Sequence, residues 1–99
     1  MQACIQKENG VLNVAFTGRL DTVTSAELRD ELDNVGFENV DVYFDFTNVE
    51  YISSAGLRLL IALQKQATET GNKLVLRNVN KIVAEVLRVS GLNKSFTIV

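Results

Sequence analysis

Ser53 and Ser54 stand side by side in the run Tyr51-Ile52-Ser53-Ser54-Ala55-Gly56-Leu57-Arg58, and their hydroxyls have the clearest chemical openings in this chain. A serine at the start of a helix does one of three things. It caps the helix by accepting a hydrogen bond from an unsatisfied backbone N–H, a role whose loss costs about 0.5–2 kcal/mol. It acts as a nucleophile when a nearby base takes its proton. Or it accepts a phosphoryl group, whose charge of about −1.5 to −2 is then stabilised by backbone N–H groups and the positive end of the helix dipole. A tandem pair lets one serine cap while the other stays open to chemistry.

The nucleophile reading lacks its helpers. The chain has no His, which removes the commonest base near neutral pH, the Ser-His-Asp and Cys-His arrangements, and His metal ligands. Lys65 or a carboxylate would have to activate Ser54, without a Gly-x-Ser-x-Gly elbow, a glycine-rich phosphate loop with Lys, or a metal cluster beside it. Cys4 is the single cysteine, so neither an intramolecular disulfide nor a Cys-x-x-Cys site is available. The expectation is a binding protein that is not an enzyme and uses no metal or cofactor.

In 99 residues, 46% hydrophobic and 22% charged, there is room for one core and one domain over residues 1–99. The net charge of −2 conceals an asymmetry. Residues 21–50 carry nine acids and one base, a balance of −8, whereas residues 51–99 carry seven bases and two acids, a balance of +5. The bases are spread singly and not interleaved with aromatics, which argues against a nucleic-acid partner. The first residues lack the apolar stretch of a signal peptide, and no apolar run approaches the roughly 18 residues of a membrane span. No membrane insertion and a cytoplasmic location are expected.

The elements that must position the serines are read from periodicity. Ala3, Ile5 and Lys7 alternate with Cys4 and Gln6, Asn9-Gly10 interrupts, and Leu12, Val14 and Phe16 then alternate with polar or small residues. That is a hairpin, since Asn-Gly accepts the positive φ of a tight type I′ turn. Gly18-Arg19-Leu20-Asp21 closes the second strand, and Thr22 to Asn34 reads as an amphipathic helix with Leu28 and Leu32 inward, Thr24 and Glu27 being spaced as a capping box. Val40, Val42, Phe44 and Phe46 alternate along a strand placed centrally in the sheet, after which Ser53 or Ser54 opens a helix that runs to about Thr70 and ends at Gly71. Leu74-Val75-Leu76 is a short buried strand, Asn80 to Ser90 a helix with Ile82, Val83, Val86, Leu87 and Val89 apolar, and Phe96 to Val99 a last strand. The order β-β-α-β-α-β-α-β predicts an α/β fold with a mixed sheet. The serines then lie past the carboxyl end of a parallel strand, where sites gather in open α/β sheets.

The helix after the serines has two apolar faces. At about 100° per residue, Leu59, Leu60, Leu63 and Ala67 form a stripe for the sheet, while Leu57 and Ile61 point largely elsewhere. Either the first turn tilts enough to bury Leu57 while Ile61 meets a neighbouring loop, or the two form an exposed ridge beside the serines, suited to docking.

Tyr51-Ile52-Ser53-Ser54-Ala55-Gly56-Leu57-Arg58, after the strand end Asp45-Phe46-Thr47, resembles the signature of the STAS domain, named for sulfate transporters and anti-sigma factor antagonists. Gly18-Arg19-Leu20-Asp21 resembles that family's Gly-x-Leu-Asp turn, and the element order agrees across nearly the whole chain. The resemblance implies an anti-sigma factor antagonist in a bacterial partner-switching circuit. Its partners would be an anti-sigma factor that is itself an ATP-dependent serine kinase, and a metal-dependent serine phosphatase. Ser54 matches the phosphorylated position and Asp21 the acidic residue near it. Some members have Asp before that serine and Ser after it, where this chain has Ser53 and Ala55, so Ser53 is the alternate acceptor. The expected partner surface comprises Asp21, Ser53, Ser54, Gly56, Leu57 and Ile61, with Asp45 as a second acid near the serine. The other reading the family offers is a STAS scaffold subunit of a membrane transporter or stress-sensing complex.

Overall fold

The computed structural model describes residues 2–99. Its elements are β1 (Gln2–Glu8), β2 (Val11–Leu20), α1 (Thr22–Val35), β3 (Asp41–Asp45), β4 (Val49–Ile52), α2 (Ser54–Glu69), β5 (Leu74–Arg77), α3 (Lys81–Val89) and β6 (Thr97–Ile98). Asn9 at φ 51° and Gly10 at φ 77° make the positive-φ turn that joins β1 to β2, and the register follows, Glu8 opposite Val11 and Ile5 opposite Val14. The sheet order is β1-β2-β3-β5-β6, with β1 antiparallel and the other neighbours parallel. This is the expected mixed α/β sheet with β3 at its centre.

One face of the sheet is covered. Leu12, Val14 and Phe16 of β2, Val42 and Phe44 of β3, and Leu74 and Leu76 of β5 are buried, whereas Asn13, Ala15 and Thr17 on the opposite face of β2 are exposed. Against the covered face lie Leu28 and Leu32 of α1, Leu59, Leu60, Leu63 and Ala67 of α2, and Val83 and Leu87 of α3. Of the five apolar residues expected to serve α3, Ile82 and Val89 are exposed at 56% and 72%. Val83 and Leu87, four apart, already fill the single stripe that a short helix presents to the core.

Two local expectations are corrected. The stretch between β3 and α2 holds a further strand, β4, so the order is β-β-α-β-β-α-β-α-β. β4 pairs in parallel with the far end of β2, Arg19 opposite Tyr51 and Leu20 opposite Ile52, beyond a register irregularity at Gly18/Arg19. The capping box of α1 is made by Asp21 and Thr24, not by Thr24 and Glu27. The Asp21 carboxylate accepts from the N–H groups of Val23 and Thr24 at 3.1 and 3.0 Å, and Thr24 Oγ1 accepts from the Asp21 N–H at 2.9 Å. The helix therefore starts one turn earlier than a Thr24 cap would allow.

Hydrogen bonds from the backbone and side chain of Thr24 hold the Asp21 carboxyl below its ordinary value, with a smaller contribution from the Arg19 charge. A carboxyl lowered by folding stabilises the native state above its unfolded value, near 3.9, and ceases to do so as pH falls through the folded value. Asp21→Asn keeps an acceptor at the cap and removes the titration. Urea midpoints at pH 7 and about pH 3 are expected to fall further apart for the wild type than for this variant; equal falls would contradict the assignment.

Gly56, in the first turns of α2, packs against β2 and β4. A Cβ there would stand 2.6 Å from Ile52 Cγ1 and 2.8 Å from the Leu20 carbonyl oxygen. Gly56→Ala is expected to lower unfolding free energy by about 1–2 kcal/mol, the overpacking outweighing the helix-propensity gain of about 1 kcal/mol. Unchanged urea denaturation would show that β2 and β4 yield at this contact.

Candidate functional site

The ends of β2 and β4 and the starts of α1 and α2 meet at the Leu20 carbonyl. Leu20 is buried, and its carbonyl oxygen accepts from the Ser53 N–H at 2.9 Å and from Ser53 Oγ at 3.2 Å. Ser53 Oγ in turn accepts from the Gly56 N–H at 3.4 Å, which makes Ser53 the N-cap of α2. Its hydroxyl is committed in both directions, and it is half-buried.

Ser54 is the first helical residue and is exposed. Its hydroxyl makes no hydrogen bond among the described residues. The two serines thus divide the roles that their tandem allows. A phosphate on Ser53 would break the cap and the contact with Leu20, whereas one on Ser54 would extend into solvent beside the N–H groups of the first turn, which have no intrahelical partner.

The other expected site residues fall in different places. Asp21, next in sequence to Leu20, is brought to the site, but its carboxylate is occupied by the α1 cap. Gly56 is buried, and the backbone that approaches it closely is that of Leu20 within the same chain. Leu57 is half-buried and packs against the core, while Ile61, one turn further on, is 45% exposed. Ile61 also borders a hollow of about 280 Å³ shared with Leu92 and Phe96, and the neighbouring Gln64 amide donates to the Ser95 carbonyl. The exposed apolar surface expected beside the serines therefore narrows to Ile61 and the outer side of Leu57.

Asp45 does not join the site. Its carboxylate accepts from Thr47 Oγ1 at 2.6 Å, the Thr47 N–H at 2.9 Å and Asn78 Nδ2 at 3.1 Å, with the Thr47 hydroxyl contributing most to holding its pKa down. That charge stitches the β3–β4 turn to the segment after β5. The rim of the serine site is accordingly less acidic than a pair of aspartates would make it.

Sequence reasoning missed Arg19 and Tyr51. They are cross-strand partners in β2 and β4, and since their neighbours Leu20 and Ile52 are buried, alternation turns both side chains outward. The Arg19 guanidinium carbon lies 4.6 Å from the centre of the Tyr51 ring, a cation–π stack worth about 0.5–1 kcal/mol at an exposed position. The signal was present in the turn itself, where a cation precedes Leu20-Asp21, but without β4 nothing placed it against Tyr51.

Among the described residues, no helix is long and apolar enough to cross a membrane. The pattern of the STAS domain family matches residues 2–99. BtrV of Bordetella bronchiseptica, named among the anti-sigma factor antagonists, is 30% identical over 99% of this chain and 85% of its own length. Among solved structures, the anti-sigma factor antagonist SpoIIAA in its unphosphorylated form superimposes with a TM-score of 0.78 at 13% identity, covering 99% of this chain and 87% of that one. SpoIIAA of Bacillus in the phosphorylated form gives 0.75 at 16% identity, covering 99% and 91%. With its Gly-Arg-Leu-Asp turn, its serine-capped second helix and its sheet order all in place along a single match from residue 2 to residue 99, this chain belongs to the STAS domain family.

Proposed function

We propose that this protein is an anti-sigma factor antagonist switched by phosphorylation of Ser54. The unphosphorylated form binds an anti-sigma factor that is an ATP-dependent serine kinase and so releases a sigma factor. Phosphate transfer to Ser54 ends that binding, and a serine phosphatase restores it. The protein itself catalyses nothing; it is a surface whose affinity changes. The observation that carries the reading is the division of labour between the serines, Ser53 tied to Leu20 and Gly56 and Ser54 exposed. The name of its relative BtrV supports the regulatory class.

The phosphate acts locally. It places about two negative charges at the start of α2, beside the ionised Asp21, and these must be stripped of water when a partner closes over them. Like charge and incomplete desolvation of this kind cost several kcal/mol; at about 1.4 kcal/mol per tenfold, 3–4 kcal/mol weakens binding by two to three orders of magnitude. The likeness of this fold to SpoIIAA in both its unphosphorylated and phosphorylated forms supports a switch that leaves the backbone in place.

Incubation with ATP and the partner kinase, followed by intact-mass and peptide mass spectrometry, tests the assignment. One phosphate is expected on the wild type and on Ser53→Ala and none on Ser54→Ala. A kinase active on another substrate that leaves all three unmodified would refute the switch. Phosphate on Ser54→Ala would move it to Ser53.

A further inference from the structure

Exposed cations stand at the junction that carries Ser54, although the segment between β2 and α2 is acidic. Residues 21–50 are strongly acidic, yet neither α1 nor α2 has an acid in its first turn. Asp21 caps α1 and keeps its charge, and Glu50 of β4 is exposed beside Tyr51. Alongside these acids stand two exposed cations, Arg19 on β2 and Arg58 one turn into α2, beside two helix N-termini whose dipoles favour anions. Among the described residues Arg19 enters no ion pair and its guanidinium makes no hydrogen bond, although its charge acts on the Asp21 carboxylate. It is nevertheless held in position, because the β2–β4 register sets it over the Tyr51 ring at 4.6 Å. A planar guanidinium stacked on an aromatic ring keeps its N–H fork available at its edge, and that fork fits a carboxylate bidentately.

We propose that Arg19 is the contact by which this protein selects its partner, and that the group it takes is a carboxylate side chain of the anti-sigma factor docked over Ser54. Tyr51 positions the guanidinium. The inference rests on the function proposed above and adds the chemistry of recognition to it. It also supplies a second reason for release, because a partner carboxylate seated on Arg19, one residue from the Leu20–Ser53 contact, meets a phosphate on Ser54 as a like charge and competes with it for the same cation.

Binding of the purified anti-sigma factor to the unphosphorylated chain, measured by calorimetry at several salt concentrations, tests this with Arg19→Gln, Arg19→Glu, Arg19→Lys and Tyr51→Leu, each checked for an unchanged circular dichroism melt. Arg19→Gln is expected to weaken binding about tenfold and to flatten its salt dependence. Arg19→Glu should cost about a hundredfold, Arg19→Lys less than Arg19→Gln, and Tyr51→Leu a partial loss. Wild-type affinity in Arg19→Glu would overturn the proposal while leaving the antagonist function standing. So would an Arg19→Gln variant altered only after Ser54 is phosphorylated, which would make Arg19 a receiver of the phosphate instead. A wild-type chain that binds no anti-sigma factor would overturn both.

Discussion

The carbonyl oxygen of Leu20 is the fixed point of this molecule's working end. It receives two hydrogen bonds from Ser53, and the absence of a side chain at Gly56 lets the first turns of α2 lie against it. Buried backbone groups must find partners, and here one carbonyl at the end of β2 finds them in the cap of a helix more than thirty residues further along the chain. Everything else at the site is referred to that contact. Because Ser53 is held there, Ser54 projects outward. Because Leu20 is paired to Ile52, Arg19 and Tyr51 are paired as well.

A switch of the proposed kind needs little motion. The groups that would sense a phosphate are a helix N-terminus, a capped aspartate and a stacked arginine, each held by local contacts in which the Ser54 hydroxyl takes no part. The core beneath them, from Phe16 and Phe44 to Leu60 and Leu76, is close to fully buried, with Ser25 in the first turn of α1 a buried polar side chain at its edge. In the proposed switch, electrostatic change at the rim would alter what the surface binds without disturbing the apolar core that supports it. The distribution of acids serves the same end: Asp45, which carries charge of the same sign as a phosphate, is spent on the β3–β4 turn, away from the serine.

How much of this was legible in the sequence depended on how local each signal was. The β1–β2 hairpin was plain, since Asn9-Gly10 needs only its own two residues to adopt positive φ. The buried stripe of α2 was equally plain, because sixteen helical residues give the 3.6-residue period room to repeat. The strand β4 was hidden: four residues with only Val49 and Ile52 buried show neither alternation nor a helical stripe, and the partner that makes them a strand is the distant end of β2. The α1 cap was assigned one turn late because Thr24 and Glu27 have the spacing of a capping box, while Asp21, the better placed acceptor, looked like a functional acid. Ile82 and Val89 show the complementary failure, since an apolar residue on a helix does not announce whether anything covers it. Of the site, the serine pair was visible as chemistry, whereas the Arg19–Tyr51 stack existed only once β4 did.

The claim most exposed to experiment is that a charge at Ser54 is read at the surface by a junction that does not move. Amide correlation spectra and hydrogen exchange of the chain carrying phosphoserine at position 54, compared with the unmodified chain, address it directly. Shifts are expected to concentrate in residues 19–24 and 51–58, with protection of the β2, β3 and β5 core amides and of the Ser53 and Gly56 N–H groups unchanged. Loss of protection at Ser53 and Gly56, or shifts spread through α2 and the sheet, would mean that the phosphate breaks the Leu20 junction, and that the switch is conformational.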